Sequence, residues 1–356
     1  MLMKKPKALF ICGSPNQTSQ MHKISAELPD FDVFFTPYYA TGYLYLLTKT
    51  GILDFTIMGG EFKRKALEYF RVNNLKTDIE GRNNFYDLVF TCQDLIIPKN
   101  ILKSKVILVQ EGMTDPENGW YKIVKFFHLP RWAASTAMTG LSDAYDIFCV
   151  ASEAYKDLFI IKGIKPEKIR VTGIPNFDNY EELMNSDFPY ENFVLVATSD
   201  MRETYKYENR KMLIQKALQI AAGRKLIFKL HPNENVKRAE SEINKYAPGA
   251  LVYYGVPIEP MISKCSALVT RYSSVVYKAL VLGKEVISDI SNSELEKLIP
   301  IQNGGTSAKY IALEARRLYA ESCAKDIFLV KDQLKYKFNT IRKFVNKIKL
   351  ARAKQS

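Results

Sequence analysis

The chain has 356 residues, 47% of them hydrophobic and 25% charged, an ordinary globular balance with room for two domains that each have a core. No apolar run approaches the length that spans a bilayer, and five scattered cysteines (Cys12, Cys92, Cys149, Cys265, Cys323) with no Cys-x-x-Cys pair support neither a zinc site nor a disulfide framework, which fits a reducing cytoplasm. The net charge is +13, yet from Lys331 onward nine Lys/Arg face Asp332 alone, so much of the excess sits in one terminal segment, which argues against a nucleic-acid groove across the body.

In chain order, the basic start Met1–Lys7 leads into an apolar run, Ala8–Cys12, that stops at Gly13 without a cleavage-like segment. That predicts a first β-strand rather than a signal peptide. Gly13-Ser14-Pro15-Asn16-Gln17-Thr18 then opens a helical pattern through Leu28. Glycine lets backbone approach a ligand closely, and Ser or Asn can cap the helix. Further strands are predicted at Val33–Thr36, Leu88–Cys92, Val106–Gln110, Ile147–Val150 and Ile169–Thr172. Strands alternating with helical patterns indicate a βαβ sheet.

Glu111 and Gly112 follow the Val106–Gln110 run. A carboxylate at a strand's carboxyl end is well placed to take a proton from a hydroxyl; the plainer role is a loop acid capping a neighbouring helix. Gly119–Trp132 gathers Trp120, Tyr121, Lys122, Lys125, Phe126, Phe127, His128, Arg131 and Trp132. The stretch fits either a lip that meets a glycan or lipid head groups, or core filling for the first domain. His22 and His128 stay unassigned. Asp30-Phe31-Asp32 matches an Asp-x-Asp pattern but begins a strand, away from any crevice.

A boundary is predicted after Gly173-Ile174-Pro175-Asn176, where the chain turns polar and acidic through Asp187. The domains expected are 1–175, 188–322 and a basic helix over 323–356. The second set runs Phe193–Thr198, a helix over Lys211–Ala222, then Lys225–Lys229, Leu251–Tyr254, Leu268–Thr270 and Glu285–Ser288. Near the end, Leu334, Phe338, Ile341, Val345 and Ile348 recur at helical spacing opposite Lys and Arg. This stripe fits a helix docked on the domains or one lying on an anionic membrane surface.

Two segments carry the strongest signal. Lys229-Leu230-His231-Pro232 follows the apolar Leu226-Ile227-Phe228, and Thr270-Arg271-Tyr272-Ser273-Ser274 follows Ala267-Leu268-Val269. In open α/β sheets ligands bind outside the carboxyl ends of the strands, so both would line one crevice. Ser273 and Ser274 precede a helical pattern, Val275–Leu282, that ends at Gly283; a helix start suits a phosphate, and serine there is also an ordinary cap. His231 can hold a phosphate as a donor or cation, act as a neutral base, or bond backbone. Arg271 can reach an anion or simply be a surface arginine. The site so read takes a nucleoside mono- or diphosphate. No Walker A loop, Gly-x-Gly-x-x-Gly, His-Glu-x-x-His or nucleophile elbow is present.

Together these residues resemble GT-B glycosyltransferases, most strongly from Asp146 to Ser288. Lys229–Pro232 is similar to the Lys-x-His-Pro element of polysialyl- and Kdo-type capsule transferases, and Thr270–Ser274 with Val275-Val276-Tyr277 to the Thr-Asp-Tyr-Ser-Ser-Val element of CDP-glycerol glycerophosphotransferases. Asp146–Ser152 through Lys168–Pro175 looks like the end of a GT-B first domain. Gln110-Glu111-Gly112 is also similar to the Glu-Ala-Gly stretch of UDP-GlcNAc 2-epimerases, but Tyr277 and Lys278 stand where those carry paired glutamates. Arg271 and Lys278 replace acids usual beside the Ser-Ser element, which leaves the donor open.

The resemblance implies two Rossmann-like parallel-sheet domains facing a central cleft, with a C-terminal helix. It implies an inverting, metal-independent glycosyltransferase for bacterial surface polysaccharide such as capsule or lipopolysaccharide. Glu111 and His231 would be catalytic; Lys229, Pro232, Arg271, Ser273, Ser274, Gly173 and Pro175 would bind donor; Gly13, Ser14, Gln17 and Gly112 would form an acceptor or phosphate loop. It implies no cofactor, a CMP-, CDP- or UDP-linked donor and a glycan or lipid-linked acceptor. It further implies a cytoplasmic location, with membrane contact through the basic terminal helix left open. The alternatives are an epimerase, a CDP-glycerol-type phosphotransferase, or a non-catalytic binding protein of the same fold.

Overall fold

The computed structural model describes residues 5–42, 44–46, 58–180, 187–203 and 207–325. The terminal stripe from Leu334 to Ile348 therefore lies outside the described residues. Met1–Ala312 forms one compact unit, and Leu313–Ser356 a second, of which 313–325 is helical.

The first unit contains two parallel sheets. One orders its strands β2-β1-β3-β4-β5-β6: β1 is Lys7–Cys12, β2 Asp32–Pro37, β3 Leu88–Thr91, β4 Lys105–Val109, β5 Ile147–Val150 and β6 Ile169–Val171. The other orders them β11-β10-β7-β8-β9: β7 is Val194–Ala197, β8 Leu226–Lys229, β9 Leu251–Tyr253, β10 Ala267–Val269 and β11 Glu285–Ile287. The central strands are apolar along most of their length because helices cover both faces of a parallel sheet. Ring packing fills the first sheet's face, with Phe10 stacked on Phe90 at 4.4 Å and on Phe35 at 5.4 Å.

Local chemistry sets the helix starts. Ser14 accepts from the Gln17 amide and Pro15 is the first residue of the helix Pro15–Ala26, where proline's missing N–H costs nothing. The helix expected over Lys211–Ala222 runs Arg210–Ala221. It begins one residue early because the Asn209 side chain caps it, and it ends at Ala222 in the left-handed region, φ 45°. His22 packs edge-on against Tyr69 and Phe35, which makes it a structural residue of the first domain. Cys12, Cys92, Cys149 and Cys265 are buried free thiols, and Cys323 is half-buried.

Each sheet has a switch point, where successive connections leave in opposite directions and ligands characteristically bind. In the second sheet it lies between β7 and β10, at whose carboxyl ends stand Thr198–Asp200 and Thr270–Ser274.

Candidate functional site

The first wall is built on β4. Glu111 follows it, and its two carboxylate oxygens accept from Ser14 Oγ at 2.8 Å and Gln17 Nε2 at 2.6 Å. Ser14 is the N-cap and Gln17 lies in the first turn of Pro15–Ala26, so Glu111 sits over that helix start and joins the sequence's two readings of it. It meets the cap's hydroxyl, not a free backbone amide. The turn is fixed from behind: Gln20 Nε2 donates to the Gln110 carbonyl at 2.9 Å, and Gln110 Nε2 donates to the Gly112 carbonyl at 2.8 Å. Gln17 Oε1 is buried without a partner, which leaves an acceptor beside the carboxylate. Gly13 is buried at the entry to this loop.

The second wall is built on β8. The His231 amide donates to Thr198 Oγ1 at 3.1 Å, and Nδ1 of its half-exposed ring accepts from the Asn233 amide at 3.3 Å. With Nδ1 an acceptor, the ring proton belongs on Nε2. Asp200 Oδ2 lies 3.6 Å from Nδ1 and takes a hydrogen bond from Asn233 Nδ2 at 3.1 Å. Pro232 is exposed at the start of the turn.

Beneath that turn lies a charged network that the sequence does not announce. Glu234, whose amide returns to the His231 carbonyl at 3.0 Å, has a buried carboxylate that accepts from Thr198 Oγ1 at 2.5 Å. Arg210 Nη2 lies 2.6 Å from Glu234 Oε1 in an ionic contact without hydrogen-bond alignment, while Arg210 holds Glu208 through two bonds of 3.0 and 3.1 Å. All three side chains are essentially inaccessible. Thr198 thus links the network to the His231 backbone.

Lys229 turns inward. Its Nζ donates to the Leu230 carbonyl at 2.8 Å, and burial pulls its pKa down against the opposing pull of Glu259. Arg271 Nε pairs with Asp289 at 2.8 Å, and Lys278 pairs with Glu259 at 2.5 Å. The two basic residues that stand in unusual places each have an acid of their own. Gly173, at φ 74°, packs where an added Cβ would lie 2.3 Å from Ser307 Oγ, and the Pro175 carbonyl accepts from Lys23 Nζ at 3.0 Å. Both follow β6, where the chain leaves the first sheet.

The two walls meet. An added Cβ on Gly112 would lie 3.4 Å from Ser274 Cβ, so the Glu111-Gly112 turn touches the Ser273-Ser274 turn. Ser274 starts the helix Val275–Val281 without using its side chain as a cap. Tyr272 Oη donates to the Thr114 carbonyl across the same junction, and Tyr155 and Tyr277 join their hydroxyls at 2.6 Å. Beside this contact a cavity of about 430 Å³ opens between the domains, lined by Asp115, Trp120 and Ser135 on one side and Asp200, Arg271 and Tyr272 on the other. Ser135 is held at φ 53°, ψ −149°, a costly conformation for a residue with a Cβ and one that concentrates at ligand sites. Among the described residues no group of three His, Cys, Asp or Glu is arranged to hold a metal.

No known family profile matches the chain, and no curated protein does. Solved structures do. A UDP-N-acetylglucosamine 2-epimerase superposes with a TM-score of 0.54 at 15% identity, covering 90% of this chain and 97% of its own. The UDP-GlcNAc 2-epimerase from Neisseria meningitidis, bound to UDP-GlcNAc, gives 0.54 at 15% identity over 87% and 100%. The fold is GT-B. The wall teichoic acid polymerase TagF superposes more loosely, at 0.48 and 10% identity over 90% of each chain. The GT-B arrangement agrees with the two-sheet expectation from the sequence. Among the described residues no helix is long and apolar enough to cross a membrane.

Proposed function

We propose that the chain is a GT-B glycosyltransferase that moves a sugar from a nucleotide-activated donor to a surface-glycan acceptor with inversion and without a metal. The observation that carries this reading is the contact of the Glu111-Gly112 turn with the Ser273-Ser274 turn. It brings the turn that carries Glu111 on one domain against the Ser273-Ser274 turn on the other. Glu111, fixed by Ser14 and Gln17, takes the proton of the acceptor hydroxyl. The incoming oxygen attacks the anomeric carbon as the bond to the donor phosphate breaks. His231 Nε2–H and the Ser273 and Ser274 donors take up the charge that grows on the departing phosphate; such preorganised donors act most in the transition state.

The first experiment is a thermal-shift panel with CMP, CDP, UDP and GDP, since a ligand that binds only the folded state raises Tm. The epimerase bound to UDP-GlcNAc makes UDP the first nucleotide to try. Glu111→Gln is then expected to lower turnover roughly a hundredfold or more while the nucleotide still raises Tm. Equal loss of both would overturn the assignment of Glu111 as base. Silence across the whole panel would favour a binding protein without catalysis. The rival epimerase reading draws on the same likeness, and product analysis with donor alone separates the two, because only an epimerase converts donor with no acceptor present.

A further inference from the structure

The helix Gly119–Phe126 and the turn that follows divide into three faces. At about 100° per residue, Tyr121 and Val124 fall on one arc and are buried against Ala134, Ala137 and Met138. Lys122 and Lys125 fall on a second. Trp120, Ile123, Phe126 and Phe127 fall on a third and are exposed, Phe126 by 78% and Phe127 by 65%. Leu129 and Trp132, just beyond the turn, are exposed as well.

The turn is well built. The amides of His128 and Leu129 return to the carbonyls of Lys125 and Val124 at 3.4 and 3.0 Å, the bonds of a Schellman motif, with His128 at φ 51° in the position glycine usually takes. Exposure of the aromatic rings is therefore fixed by the backbone. A contiguous apolar face of this size on a chain surface marks a docking site.

Charge selects the occupant. Residues 119–132 contain Lys122, Lys125 and Arg131 and no acid, and Trp and Phe beside Lys is the composition that seats in the head-group region of an anionic bilayer. We infer that Gly119–Trp132 is a membrane-docking face that inserts its aromatic side chains among anionic lipid head groups. Trp120 belongs to this face and also lines the interdomain cavity with Asp115, Asp200 and Arg271. A docked molecule would therefore open its cleft at the lipid surface, within reach of an acceptor whose apolar tail stays in the bilayer. That last consequence rests on the transferase reading; the docking itself does not.

The chain offers its own probe, because its only two tryptophans are Trp120 and Trp132. The full chain is mixed with vesicles of phosphatidylcholine alone, and with vesicles containing phosphatidylglycerol, with and without brominated acyl chains. The expected result is a shift of tryptophan emission to shorter wavelength and quenching by bromine, on the anionic vesicles. Phe126→Ser with Phe127→Ser, two exposed positions, is expected to weaken vesicle binding roughly tenfold, and Lys122→Glu to reduce the preference for anionic lipid. Three results would overturn the inference: no vesicle binding, vesicle binding that leaves tryptophan emission unchanged, or unaltered affinity in the double serine variant. The second would hand the membrane contact to the basic segment from Lys331; emission already blue-shifted and indifferent to vesicles would mean that another part of the chain covers the face. None of these readouts needs a donor, so a failed transferase assay leaves them standing.

Discussion

Glu259 shows how one residue's environment is balanced. Burial pushes its carboxyl upward, but the Lys278 ammonium, 2.5 Å away, together with the backbone amides of Ile258 and Glu259, more than offsets this and holds it below the usual glutamate range. A carboxyl held low contributes stability that is present above its unfolded pKa and lost as pH falls through the folded one. Lys278→Met removes the offset and leaves a partly buried charge, at a cost of about 2 kcal/mol. Thermal melts are expected to show a wider gap between wild type and Lys278→Met at about pH 7 than at acid pH, once the folded carboxyl begins to take up its proton. A gap of equal size at both values would refute the pairing. The same residue bears on specificity, since an ammonium already satisfied by Glu259 has less to offer a donor phosphate.

At the scale of the element, the turn after β8 depends on charges below it. Glu234→Ala would leave Arg210 buried beside Glu208 alone, a change expected to cost about 3–5 kcal/mol and to lower Tm by several degrees; an unchanged melt would remove the network from any role in holding His231. Thr198→Val tests the link more gently. It removes one acceptor for the His231 amide and is expected to weaken nucleotide binding more than it lowers Tm, measured by titration and melting side by side. This network was not legible in the sequence. Thr198 and Glu234 are separated by 36 positions, Glu208 and Arg210 lie just before the helix expected from Lys211, and neither periodicity nor motif flags a pair made only by folding. By contrast, the strand ends were legible, because an apolar run stopping at Gly, His or Thr has a local cause. Ser14 was legible as a cap for the same reason, whereas Gln20 and Gln110, which hold the Glu111 turn, carry no local sign. The exposed face of Gly119–Trp132 stood evenly against a core role, since Trp and Phe at helical spacing suit either one; the rings emerge because Tyr121 and Val124 already fill the inward arc.

Across the whole molecule, one apolar cluster runs through both sheets, and hydroxyl bonds add to it at the cleft. The Tyr155–Tyr277 bond is buried on both sides. Tyr155→Phe leaves the other hydroxyl without this partner at a cost of about 1–3 kcal/mol, and the double phenylalanine variant is expected to recover part of it. Fully additive losses in a double-mutant cycle would show that the two rings do not act as a pair. The parallel α/β sheets followed from alternating strand and helix patterns and the GT-B plan from the resemblance, but the residues that join the sheets did not, because contacts such as Gly112 with Ser274 depend on how the domains come together. The buried thiols carry a different kind of consequence. Burial raises the pKa of Cys12 and Cys92 far above the ordinary thiol range and of Cys265 to about 11, while Cys149 is completely inaccessible. A thiol-directed reagent should therefore modify Cys323 quickly in the native state and reach the rest only as the sheets come apart. The chain thus has a built-in clock for its own opening: the lag between the first label and the next measures how long the folded state persists.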